Sequence, residues 1–244
     1  MNWSVIFTEK SLNLFASGMV TTIWLLLACL LIGGVLALLF ALALTSRRAW
    51  LRWLVGSYTY VIRGTPLLIQ IYLIYYGVAQ LEWVQARWND VWPWTYFQDA
   101  FFCALLAFSI NTSAYTAELL AGAIRETHPG EVEAAQAMGM TPWQIKRRIV
   151  LPSAMRRALP AYGNEVVQML HSTSLASTVP GLMDVTAVAS RIYSDFYLPF
   201  EAYLFAAALY LVVTFSLVGL FKLAELRFLA HLAPRRLGAG PVGN

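Results

Sequence analysis

The sequence predicts an all-α integral membrane protein with five transmembrane helices, an external N-terminus and a cytoplasmic C-terminus. Three observations carry that expectation. Of 244 residues, 59% are hydrophobic and only 12% are charged, against about 25% charged in ordinary globular domains. With a mean hydropathy of +0.61, too little polar surface exists to clothe a water-soluble fold. Long charge-free runs recur along the chain, and Lys and Arg gather in alternate connecting segments.

The charge-free runs place the spans. No Asp, Glu, Lys or Arg lies between Lys10 and Arg47, Arg63 and Glu82, Asp99 and Glu118, or Glu201 and Lys222. A helix crossing about 30 Å of hydrocarbon needs roughly 20 mostly apolar residues, so spans are expected near 17–44, 54–80, 100–123 and 201–223. A further span near 158–177 carries Glu165 and His171, and charge parity requires it. Thirteen basic residues fall on one side of this arrangement: Arg47, Arg48 and Arg52; Arg125, Lys146, Arg147, Arg148, Arg156 and Arg157; and Lys222, Arg227, Arg235 and Arg236. Only Lys10, Arg87 and Arg191 fall on the other, with Arg63 inside the second span. Four spans would put two basic segments on opposite faces.

Residues 1–236 therefore read as one transmembrane domain, followed by a flexible Gly/Pro tail at 237–244. Ala41-Leu42-Ala43 resembles a signal-peptide cleavage site, but the apolar run before it is too long and the positive charges follow it. The first span should be retained. Cys29 and Cys103 sit in apolar spans and read as buried small hydrophobes, not as a disulfide or metal pair. Trp83, Trp88, Trp92 and Trp94 suit an interfacial belt, with a docking face for a binding protein as the other reading.

Residues 131–152 stand apart as a compact polar hairpin. Glu131 to Met138 is a run of good helix formers, and Gly139 is placed to cap it in the left-handed conformation. Thr141, Pro142 and Gln144 give a capping box with proline at the first helical position. Pro152 is expected to end this second helix, because residues before proline disfavour the α region. By physics alone, Trp143, Ile149 and the adjacent Lys146, Arg147 and Arg148 suit an interfacial amphipathic helix.

The spacing adds a second reading. Glu133-Ala134-Ala135, then Gly139, then Ile149-Val150-Leu151-Pro152 resembles the EAA signature of bacterial ABC importer permeases. Arg63-Gly64-Thr65-Pro66-Leu67-Leu68, Asn111 to Glu118, Asn164-Glu165 and His171 to Leu175 are similar to the polar amino acid branch of that family, especially its histidine, lysine, arginine, ornithine and opine permeases. His171 departs from the Lys found in many relatives, so the substrate of the wider branch does not carry over.

The resemblance implies a type I importer permease fold in the bacterial inner membrane, a non-catalytic subunit that moves a basic amino acid by alternating access. It implies that the hairpin docks on a cytoplasmic ATPase through Glu133, Ala134, Ala135, Gly139, Met140 and Thr141. Glu133 has two readings, pairing with a cation on that partner or neutralising its own helix N-terminus. It also implies a paralogous permease in a heteromeric pair, two ATP-binding subunits and a periplasmic substrate-binding protein. This chain would bind no cofactor, since no phosphate loop occurs in it; ATP and Mg²⁺ would sit on the partners. No metal site and no nucleic acid are expected. Another polar amino acid or an opine is the alternative cargo, and a proton-coupled secondary transporter is the alternative class.

Ionisable groups within spans usually face a bundle interior or a wet cavity. Glu165 lies about 12 Å along its span from Arg157, near mid-membrane. Gln168, Met169 and Ser172 share its face, and Asn164 adjoins it. These are the expected cargo contacts, with a Glu bonded to a neighbouring helix as the other reading of Glu165. Asn111 and Ser113 reach mid-depth in the third span and are expected to line the pathway. Tyr115, Glu118 and Gly122 continue the Asn111 face, with Glu118 serving helix packing or coupling. His171 points well off the Glu165 face, with a hydrogen bond inside the bundle or cargo contact as its two readings; Arg63 can snorkel to the boundary while Pro66 bends its helix, with a pathway role as the other reading.

Overall fold

The computed structural model describes residues 3–229 apart from 88, 90, 92 and 93; the expectations for Trp88, Trp92, Arg235, Arg236 and the tail fall outside these. The described residues are helical, with no strand among them. Three helices are long and apolar enough to cross a membrane: α1 (Glu9–Leu44), α5 (Ala100–Arg125) and α10 (Pro199–Phe228). The remaining helices are α2 (Ala49–Arg63), α3 (Leu67–Tyr72), α4 (Glu82–Gln85), α6 (Pro129–Ala137), α7 (Pro142–Ile145), α8 (Leu151–Ser172) and α9 (Val185–Phe196).

The long helix α1 starts where the Thr8 side chain accepts from the Ser11 amide, with Glu9 in the first turn to favour the helix dipole. Its buried residues run Phe15, Gly18, Thr22, Leu25, Cys29, Gly33, Ala37 and Ala41, a stripe at helical spacing whose first part meets Val185–Phe196 and whose later part lies along α5. Small residues allow the approach: Ala37 and Ala41 pack on Ala117 and Ala121. At Gly33 the two backbones come so close that a Cβ would sit 2.9 Å from the Ser109 carbonyl oxygen and closer still to the Thr112 methyl. Both cysteines are buried free thiols.

The second span is not the continuous rod expected for 54–80. It breaks at Gly64 and Pro66 into α2 and α3, and α3 continues through a π turn (Leu73–Gly77) and a 3-10 turn (Val78–Gln80). Proline cannot donate to the carbonyl a turn before it and leaves acceptors stranded. Gln70 compensates: its Nε2 donates to the Ile62 carbonyl at 2.7 Å, the Thr65 carbonyl at 3.1 Å and Thr65 Oγ1 at 2.9 Å. Irregular backbone is tolerated at membrane depth only when satisfied in this way or when it lines a cavity.

A second correction concerns Pro152, which does not stop the helix. From Pro142 the chain stays helical through α7, a π turn (Lys146–Val150) and α8 to Ser172. A proline ring collides with the carbonyl four residues earlier, here Arg148, and that residue lies inside the widened π turn. The wider turn accommodates the ring. Arg157 pins the start of α8 to the end of α5, donating to the Ala123 carbonyl at 3.1 Å and to Thr127 Oγ1 at 2.9 Å. Further along, Gly163 lets the Phe221 ring of α10 approach to 2.9 Å from where its Cβ would be.

Helix α9 was not anticipated. It packs Val185, Val188, Ala189 and Ile192 against Phe15 of α1 and Ala202 of α10. Asp184 caps it, accepting from the Ala187 amide at 3.0 Å and the Thr186 amide at 3.1 Å, and also from the Tyr210 hydroxyl at 3.3 Å. Burial pushes the Asp184 carboxyl above its ordinary value of 3.8, against the opposing pull of these donors. A raised folded-state value means that the carboxyl's stabilising contribution is full below pH 3.8 and is lost as the pH climbs through the folded value. Asp184→Asn, which keeps a capping oxygen without the charge, is therefore expected to gain thermal stability relative to the parent as the pH rises from about 4 to about 7. Parallel melting curves for the two proteins check this; a difference independent of pH sinks it.

Candidate functional site: a mid-bundle cavity and a helical hairpin

Three elements line an open cavity of about 400 Å³. The α2–α3 break contributes Arg63, Gly64, Thr65, Pro66 and Leu67; α5 contributes Asn111 and Tyr115; α8 contributes Glu165, Gln168, Met169 and Ser172. Five of the seven residues expected at the cargo site from sequence thus meet in one place: Glu165, Gln168, Met169, Ser172 and Asn111.

Ser113 does not join them. It is fully buried, with Oγ donating to the Ile110 carbonyl at 2.8 Å and paired with the Tyr58 hydroxyl at 2.7 Å, so it ties α5 to α2. Two residues along a helix rotate about 200°, which turns Ser113 away from the face holding Asn111. Asn164, about 100° round from Glu165, is exposed and outside the cavity lining. Conversely, the Gly64–Pro66 break was read only as a bend, although a glycine and a proline inside an apolar run are the signal for exposed backbone.

The cavity's hydrogen bonding fixes one amide. Because Gln70 Nε2 faces acceptors, its Oε1 must accept, and Asn111 Nδ2 donates to it at 3.1 Å. Asn111 Oδ1 is left as the acceptor beside the cavity. Glu165 brings a carboxylate, and the Arg63 guanidinium lies within its electrostatic range. Arg63 itself rests over the Tyr115 ring, 5.3 Å from the centroid. The site thus offers an anion, a cation and a directed amide oxygen in a space matching a small polar solute.

Neighbouring polar groups serve packing. Thr59 Oγ1 donates to Glu118 Oε1 at 2.7 Å, joining α2 to α5. His171 Nε2 lies 3.0 Å from Thr214 Oγ1 of α10, in a separate cavity.

The hairpin closes with a full C-terminal cap on α6. The Met140 amide donates to the Ala135 carbonyl at 3.1 Å and the Gly139 amide to the Gln136 carbonyl at 2.9 Å, with Gly139 at φ +77°. Thr141 and Gln144 then form the capping box of α7. Ala135 and Ile145 are buried, whereas Glu133, Ala134, Gly139 and Thr141 are exposed. Met138 and Trp143 are 84% and 62% exposed, an apolar tip unsuited to water alone.

The chain belongs to the family of binding-protein-dependent transport system inner membrane components, whose family model matches residues 11–229. It is 44% identical over 225 residues to the histidine/lysine/arginine/ornithine transport system permease protein HisM of Escherichia coli (strain K12), covering 89% of this chain and 90% of that one. It is also 44% identical to the nopaline transport system permease protein NocM of Agrobacterium fabrum, over 91% and 90% of the two chains. Among solved structures, an amino acid ABC transporter with histidines matches with a TM-score of 0.76 at 37% identity, covering 89% of this chain and 95% of that one. The protein is an ABC amino acid permease of the type I importer fold in the inner membrane.

Proposed function

We propose that this chain is the five-span, N-out and C-in permease subunit of an ATP-driven importer for basic amino acids. The observation that carries the cargo reading is Glu165, a carboxylate facing a cavity shared with Asn111, Gln168, Met169 and Ser172. A carboxylate held at membrane depth is costly without a counter-ion, and a guanidinium, ammonium or imidazolium supplies one. The relatives named for histidine, lysine, arginine and ornithine transport support that chemistry.

In this reading the chain performs no hydrolysis. The exposed tip of Met138, Gly139 and Trp143, with Glu133, Ala134, Met140 and Thr141 around it, docks on an ATP-binding subunit, and Ala135 holds the tip's shape from within. Two such subunits carry ATP and Mg²⁺, a paralogous permease completes the membrane pathway as a heteromeric pair, and a periplasmic binding protein delivers cargo. ATP-driven closure below reorients the cavity from one side of the membrane to the other.

The test is uptake of labelled lysine, arginine and histidine by proteoliposomes holding the assembled complex, with ATP inside and the proton gradient collapsed. Uptake is expected to continue in the parent and to fall at least about tenfold in Glu165→Gln, the loss of one charge-assisted contact. Unchanged uptake in a well-folded Glu165→Gln complex would falsify the cargo site. Dependence on the proton gradient instead of ATP would remove the importer reading.

A further inference from the structure

The cavity holds a second charge for which the cargo reading gives no task. Arg63 is the last residue of α2, immediately before the break. One residue of α5 holds it twice: the Tyr115 ring lies under the guanidinium at 5.3 Å, and the Tyr115 hydroxyl donates to the Arg63 carbonyl at 3.3 Å. The guanidinium makes no hydrogen bond to another described residue, so its donor edge remains available to the cavity. Glu165 lies within its field, yet no salt bridge joins the two.

Two opposite charges that line one cavity without pairing are each left to find a partner, and a solute with matching charges at its two ends satisfies both. A guanidinium offers a planar fork that fits a carboxylate with two parallel hydrogen bonds. The Tyr115 ring beneath the guanidinium holds it beside the cavity in advance. Asn111 Oδ1, turned outward by the Gln70 network, is the acceptor left for an ammonium group.

We propose that Arg63 receives the α-carboxylate of the cargo while Asn111 Oδ1 faces its α-ammonium and Glu165 its side-chain cation. This assignment rests on the cargo reading of the Glu165 cavity. Its consequence is selectivity: a cation lacking a carboxylate leaves the Arg63 fork unmatched and is held less well.

Isothermal titration of the purified complex, free of substrate-binding protein, with L-arginine and with argininamide tests this directly. At about pH 6 the amide keeps both cationic groups and loses only the carboxylate charge. The parent complex is expected to prefer arginine by about tenfold or more. Arg63→Gln is expected to erase that preference by weakening arginine while leaving argininamide nearly unchanged; Arg63→Lys, which keeps the charge without the fork, recovers part of it. A preference that persists in Arg63→Gln, or an equal loss for both ligands, overturns the assignment. Glu165→Gln reports on the cavity separately: it is expected to weaken both ligands and preserve their ratio. Unchanged affinity for both in that variant would overturn the cavity reading and this assignment with it.

Discussion

Gly33→Leu is expected to prevent stable folding, whereas Gly34→Leu, one residue along, is expected to be tolerated. A Cβ at Gly33 would meet the Ser109 backbone at 2.9 Å and the β-branched Thr112 side chain even closer, and neither can turn aside. A Cβ at Gly34 meets nothing within 4 Å. Overpacking of this kind costs about 1–3 kcal/mol or more, and here it falls on the contact along which α1 and α5 lie together. Purified yield and thermal unfolding in detergent of the two variants check the contrast. Similar behaviour in both would show that the α1–α5 crossing does not depend on its missing side chain.

The second large effect concerns the hairpin. Gly139→Val should leave the membrane helices assembled but cut cargo uptake at least about tenfold. A left-handed residue costs roughly 1–2 kcal/mol for ordinary side chains and more for a β-branched one, and φ at this position is +77°. Relieving that strain breaks the cap formed by the Met140 and Gly139 amides and so changes the angle between α6 and α7. Gly139→Asn is expected to retain most activity, because asparagine adopts the left-handed conformation comparatively readily. Uptake and cargo-stimulated ATP hydrolysis of the reconstituted complex distinguish the two; equal activity in Val and Asn variants would sink the idea that the tip's geometry transmits force.

Much of the architecture was legible because membrane helices announce themselves by excluding charge. The runs after Lys10, Asp99 and Glu201 coincide with α1, α5 and α10. Glu165 was visible for the complementary reason, as a charge where charge is expensive, and helical spacing then found Gln168, Met169 and Ser172. Proline misled in both directions. At Pro66 the side chain of Gln70, four residues along, stabilises a true break, while at Pro152 a π turn keeps a helix going through it. Neither compensation is local enough to read from the prolines themselves. Ser113 was grouped with Asn111 by depth, but depth and face are separate coordinates on a helix, and its face belongs to Tyr58. Helix α9 escaped because it is short and carries Arg191 and Asp195, although Val185, Val188, Ala189 and Ile192 recur at helical intervals after the capping Asp184.

The continuity of the chain from Pro142 to Ser172 has a mechanical consequence. Glu165 and Trp143 of the apolar tip ride on the same lever, about 33 Å apart at the rise of an α-helix. A displacement applied near Trp143 would reach the carboxylate as a shift or swivel of its own axis. Two places on the run can give: the π turn at Lys146–Val150, where one hydrogen bond more or less would change the angular phase of everything beyond, and Pro160, which donates no backbone hydrogen bond.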